Sequence, residues 1–229
     1  VTLLSPSSPL PSSFPRKRES SYRRFILAGF LLLAACHKDL VSQQDVSTAG
    51  LVPPLSLAMQ DVTTNQPVTA ASFAGKTVLL YFGYTNCPDV CPTSLYNVDK
   101  ILRRLGPLAN NIVFLFVTVD PDRDTPATLA QYAALFGPNI HGLRGTPDQL
   151  YALARRYRVV FSVTKTPTYS VTHSAAVYVF NAQGQSQFLI AGLDTTNPDI
   201  AGITEDLRNS ITANSQNPLV AWLQNLTSS

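Results

Sequence analysis

The sequence predicts an α/β domain, a central mixed sheet flanked by helices, and three observations carry that prediction. Two continuous apolar runs of strand type, Lys76 to Tyr84 ("KTVLLYFGY") and Asn111 to Val119 ("NIVFLFVTV"), are fit for burial on both faces. An amphipathic helical segment lies between them, which makes a βαβ unit and so two parallel neighbouring strands. Further along, "SAAVYVF" and "QSQFLI" flank the turn signal "NAQG" and read as an antiparallel hairpin.

The intervening segment "CPTSLYNVDKILRRLGP" has Leu95, Val98, Leu102 and Leu105 on one stripe. Pro92 suits its first helical position, and Gly106 with Pro107 stops it. Two more helices follow the second strand. "TPATLAQYAALFG" runs from Pro126 to Gly137. "TPDQLYALARRY" opens with Thr146 as cap, Pro147 in the first turn and Gln149 in the capping-box position. His141, in "NIHGLRG", reads as a surface residue in a connection, and His173 as the residue just before the hairpin. A last helix is expected from about Pro198 on the domain surface, followed by a C-terminal tail, 211–229.

The 229 residues are enough for one core. Of 17 basic and 14 acidic residues, five basic and one acidic lie in residues 1–35, leaving 12 and 13. The folded part therefore has no electrostatic footprint for nucleic acid. Residues 1–35 read as a targeting segment. Basic "RKRESSYRR" precedes the eleven-residue apolar run Phe25 to Ala35, too short for a spanning helix, which needs roughly 20 residues. "LAAC" resembles the lipobox of bacterial lipoproteins, which implies a lipidated Cys36 and a domain held on the periplasmic side of a bacterial membrane. Residues 37–54, polar and broken by Pro53-Pro54, read as the tether, and 55–210 as the domain.

With Cys36 assigned to lipid, the domain keeps Cys87 and Cys91 in "FGYTNCPDVCPTS", directly after the first strand. A disulfide across so short a loop adds little stability. A pair four residues apart at a helix start can instead bring both sulfurs to each other or to one soft cation, and the helix dipole there favours a thiolate at Cys91. The pair thus supports reversible oxidation or metal binding. The loop after the second strand, "DPDRDTP" (Asp120 to Pro126), falls on the same carboxyl edge, where open α/β sheets bind ligands. Asp124 and Thr125 are candidate caps of the next helix; Asp120 and Asp89 are candidate supports of the cysteine site, and Arg123 a tie within the acidic loop. A structural zinc site would want a fourth protein ligand. A peroxidase would usually carry TxxC, whereas Thr85 stands two before Cys87.

"FGYTNCPDVCPTS", "VTVDPDRDTP", "GLRGTPDQL" and "VTHSAAVYVF", in that order, resemble the Sco/SenC family over about Leu55 to Asp206. The resemblance implies a thioredoxin-like fold with a hairpin carrying His173. It implies copper, Cu(I) or Cu(II), held by Cys87, Cys91 and His173, although position alone makes His173 a loop residue. It also implies a metallochaperone serving the binuclear copper centre of cytochrome c oxidase, with the oxidase copper subunit or another copper chaperone as partner. A thiol–disulfide oxidoreductase using Cys87 and Cys91 as redox pair is the alternative.

Overall fold

The structure is a computed structural model and describes residues 45–215. The targeting segment, Cys36, His37, residues 37–44 of the tether and 216–229 of the tail lie outside the described residues. An eight-stranded mixed sheet forms the centre, in the order β1-β10-β9-β4-β5-β6-β2-β3. Its strands are β1 (Asp45–Ser47), β2 (Ala58–Asp61), β3 (Gln66–Thr69), β4 (Thr77–Gly83), β5 (Ile112–Thr118), β6 (Ile140–Arg144), β9 (Val177–Phe180) and β10 (Ser186–Ile190). The β4–β5 and β5–β6 pairs are parallel, and the other pairings are antiparallel. The expected parallel pair is thus β4 and β5, with Leu80 opposite Leu115.

Every residue of β4 is buried, as is all of β5 except the half-buried Val113. Helices cover both strands, so their apolar residues run without alternation. Four helices are described: α1 (Val90–Leu105), α2 (Pro126–Ala134), α3 (Pro147–Arg156) and α4 (Ile200–Ser215). α1 buries Leu95, Val98, Ile101, Leu102 and Leu105. α4 packs against it through the buried Ile203, Leu207 and Ile211. The tail expected from residue 211 therefore begins inside this helix. α1 starts two residues before Pro92, because the third helical residue also lacks an intrahelical acceptor for its N–H and proline is tolerated there. α3 opens with the expected capping box between Thr146 and Gln149.

Several strands follow no strong apolar pattern. β1 falls in the segment expected as tether and lies antiparallel along β10. "IHGLR", expected as a connection, is strand β6, and His141 there is half-buried with Nδ1 2.7 Å from Asp61 Oδ2. A second, two-stranded sheet pairs β7 (Phe161–Thr164) with β8 (Ser170–His173). His173 ends β8, so the hairpin that carries it is this one and not the β9–β10 hairpin around "NAQG". No helix among the described residues is long and apolar enough to cross a membrane.

Candidate metal centre

Three chain segments meet beyond the carboxyl ends of β4 and β5. The first runs from β4 through Tyr84–Asp89 into α1 and carries both cysteines. Cys87 and Cys91 are free thiols, 8% and 0% exposed. Cys87 N–H donates to the Tyr84 carbonyl at 3.3 Å, and Cys91 N–H donates to Cys87 Sγ at 3.4 Å. A first-turn amide of α1 therefore addresses Cys87, where an acceptor or anion is favoured. Cys91 is different from expectation. Burial pushes its thiol well up, so the helix start does not by itself make it a thiolate.

Gly83 makes the approach of Cys91 possible. A Cβ there would lie 3.0 Å from Cys91 Sγ and 2.8 Å from the Phe116 ring. This close packing of α1 on the end of β4 requires a residue without a side chain.

The second segment is the β8 end. His173 Nε2 lies 3.3 Å from Cys91 Sγ. Its Nδ1 is 3.1 Å from the Ser174 carbonyl, which can only accept, so Nδ1 carries the proton and Nε2 is left bare toward the sulfurs. Burial lowers the His173 pKa, outweighing the opposing pull of the Ser174 carbonyl, and so favours the neutral ring. Tyr81 and Tyr84 hold the ring edge-on at 5.9 and 5.8 Å. Ligand atoms of Cys87, Cys91 and His173 all lie within 4.8 Å of one another, the one such cluster of three or more among the described residues. Two soft sulfurs and a bare imidazole nitrogen at that spacing fit a three-coordinate soft cation.

The third segment is "DPDRDTP". Asp124 is fully buried and is not the cap of α2. That role falls to Thr125, whose Oγ1 accepts from Thr128 N–H. Asp124 instead accepts from Thr85 N–H at 3.0 Å, Thr85 Oγ1 at 2.6 Å and Thr118 Oγ1 at 2.5 Å, tying the cysteine loop to the end of β5. Asp120, 1% exposed, accepts from Arg123 Nε and from the Tyr169 hydroxyl, both at 2.5 Å. Asp89 is exposed at the start of α1, and its side chain makes no capping bond. Gly83, Tyr84, Asp124 and Tyr169 were not legible as site residues. Only the glycine, standing among bulky β4 neighbours, left a signal.

The family model described as SCO1/SenC matches residues 57–210. Protein SCO2 homolog, mitochondrial, of Bos taurus is 41% identical over 119 residues, covering 50% of this chain and 45% of that protein. Protein SCO1 homolog, mitochondrial, of Homo sapiens is 30% identical over 193 residues, 79% of this chain and 62% of that protein. The chain thus spans about half the length of several curated relatives it matches. Among solved structures, yeast Sco1 with copper bound superposes with a TM-score of 0.62 at 30% identity, over 74% of this chain and 94% of that one. Bradyrhizobium japonicum ScoI with copper bound gives 0.58 at 34%, over 69% and 98%. With the family model spanning the domain from β2 into α4, this chain belongs to the SCO1/SenC family.

Proposed function

We propose that this protein binds one copper ion through Cys87 Sγ, Cys91 Sγ and His173 Nε2. Its role is then to help assemble the binuclear copper centre of cytochrome c oxidase, passing copper to the oxidase copper subunit or exchanging it with another chaperone. The observation that carries the reading is the convergence of those three donors within 4.8 Å. Two structural relatives that are copper-bound Sco proteins support the choice of metal. Thiolates with one imidazole suit Cu(I), and the same atoms can hold Cu(II). Joining the two cysteines in a disulfide removes two donors at once, so retention of copper depends on the oxidation state of the pair. Residues 1–35 act as a signal peptide and Cys36 as the lipid attachment that keeps the domain, 55–210, on the periplasmic side of the membrane. Asp120 supports the site through its neighbours. Asp89, exposed two residues after Cys87, is the second support of the site.

The free, adjacent thiols also favour a second reading, transfer of two electrons and two protons to a partner disulfide, leaving Cys87 and Cys91 joined. Anaerobic titration of the reduced full chain with Cu(I) against a competing chelator separates the two. Copper delivery expects one tightly held ion, with affinity falling about ten- to a hundredfold or more in Cys87→Ser, Cys91→Ser and His173→Ala. Weak binding that ignores His173→Ala would leave the dithiol exchange as the function.

A further inference from the structure

The sheet that presents His173 is not hydrogen-bonded into the main sheet. β7 and β8 pair only with each other, and their burial alternates between half-buried and exposed with no residue fully inside. An isolated two-stranded hairpin is marginal in water, so side-chain ties decide where this one rests. Tyr169, Val171 and His173 alternate along one face of β8 and its entry, all half-buried, with exposed Ser170 and Thr172 between them. That face looks onto the cysteine loop and "DPDRDTP".

The ties along it are unequal. Lys165 and Asp122 pair at 2.5 Å, but both side chains are more than 60% exposed, and such a pair contributes little. The Tyr84 hydroxyl reaches the Val171 carbonyl at a long 3.4 Å. Tyr169 is different. Its hydroxyl donates to Asp120 Oδ1 at 2.5 Å, and Asp120 is buried. Arg123 Nε holds the other carboxylate oxygen, and its guanidinium stacks 3.7 Å above the Tyr169 ring. A hydroxyl on a buried carboxylate, with the ring sandwiched by the carboxylate's own counter-ion, is a strong directional tie. The cysteine loop has a separate anchor in the same seven residues, Asp124 on Thr85.

We propose that Tyr169 and Asp120 form a latch that positions the β7–β8 hairpin, and so His173, over the two cysteines, and that opening it withdraws the imidazole while leaving both thiols in place. The acidic loop then holds the nitrogen donor and the sulfur donors by independent arms. His173 becomes the ligand that can leave first. A partner engaging the exposed hairpin could lower the site from three ligands to two without touching the cysteines. The inference deepens the copper reading and rests on it only for the metal readout below.

The test is Tyr169→Phe in the full chain, which keeps the ring and its stacking and removes the hydroxyl alone. Asp120→Asn is the second variant and Lys165→Met the control. In the metal-free protein, amide exchange in β7–β8 should quicken about ten- to a hundredfold in Tyr169→Phe and Asp120→Asn, with β4 and β5 unchanged and Lys165→Met near wild type. Loaded with Cu(II), Tyr169→Phe should lose imidazole nitrogen coupling in its EPR spectrum, as His173→Ala does, while keeping its sulfur-to-copper charge-transfer band. Unchanged hairpin exchange, or exchange that quickens equally in β4 and β5, overturns the latch. A wild-type chain that binds no copper overturns the copper reading instead, and the exchange data still decide the latch.

Discussion

Replacing Gly83 by alanine puts the packing account of the site to a quantitative test. The new Cβ would sit 2.8 and 2.9 Å from two Phe116 ring carbons and 3.0 Å from Cys91 Sγ, against about 3.5–4.0 Å for an ordinary carbon contact. The ring must yield most of an ångström, yet it is fully buried and packed on Tyr81 and Tyr132 at 5.8 and 5.5 Å. Overpacking of this kind costs about 1–3 kcal/mol. Removing a strand glycine returns about 0.5–1 kcal/mol. A net loss of about 1–2 kcal/mol lowers Tm by about 2–8 °C for a domain of this size. Displacing Cys91 Sγ also spoils its 3.3 Å approach to His173, and Cu(I) affinity should fall about tenfold. Calorimetry and chelator competition read the two effects. The double variant Gly83→Ala/Phe116→Leu identifies the cause, since the smaller side chain relieves the clash and the losses should fall short of additive by about 1 kcal/mol. An unchanged Tm together with an unchanged affinity would refute the reasoning.

Two other perturbations follow from the same geometry. Asp124→Ala strips a buried acceptor from Thr85 and Thr118, and the orphaned donors should cost about 2–4 kcal/mol in urea unfolding. Cys87 should also react faster with a thiol reagent; a variant as stable as wild type would show that the tie is dispensable. Asp45 behaves differently with pH, because burial first, then the Asp206 carboxyl, raises its pKa to about 8 from the ordinary 3.8. The folded chain keeps a proton that the unfolded chain has released, so this group lowers stability progressively from about pH 4 to about pH 8 and no further beyond. Asp45→Asn should match wild type near pH 4 and exceed it near pH 8 by a margin on the order of a few kcal/mol, read by denaturant unfolding at both pH values. A margin that does not grow with pH would contradict the assignment.

The amino-acid sequence alone determined the parallel pair β4–β5, α1 between them and the capped helices α2 and α3. Each rests on local rules, an unbroken apolar run, a helical stripe or a capping residue, that need no distant partner. It also determined that two cysteines follow β4 and an acidic loop follows β5 on the same edge. The short strands β1, β2 and β6 escaped it because their registers are set by neighbours far along the chain. Asp61 of β2, for example, is buried opposite Leu143 of β6. Position gave no reason to bring His173 to Cys91 across 82 residues; the family resemblance did, and folding placed the two 3.3 Å apart. Which aspartate does what was also a tertiary decision. In "DPDRDTP" Asp120 reads as a support and Asp124 as a helix cap, yet Asp120, Asp122 and Asp124 meet Tyr169, Lys165 and Thr85. The chemistry of a carboxylate is local, but its role belongs to whichever donor the fold brings within hydrogen-bonding distance.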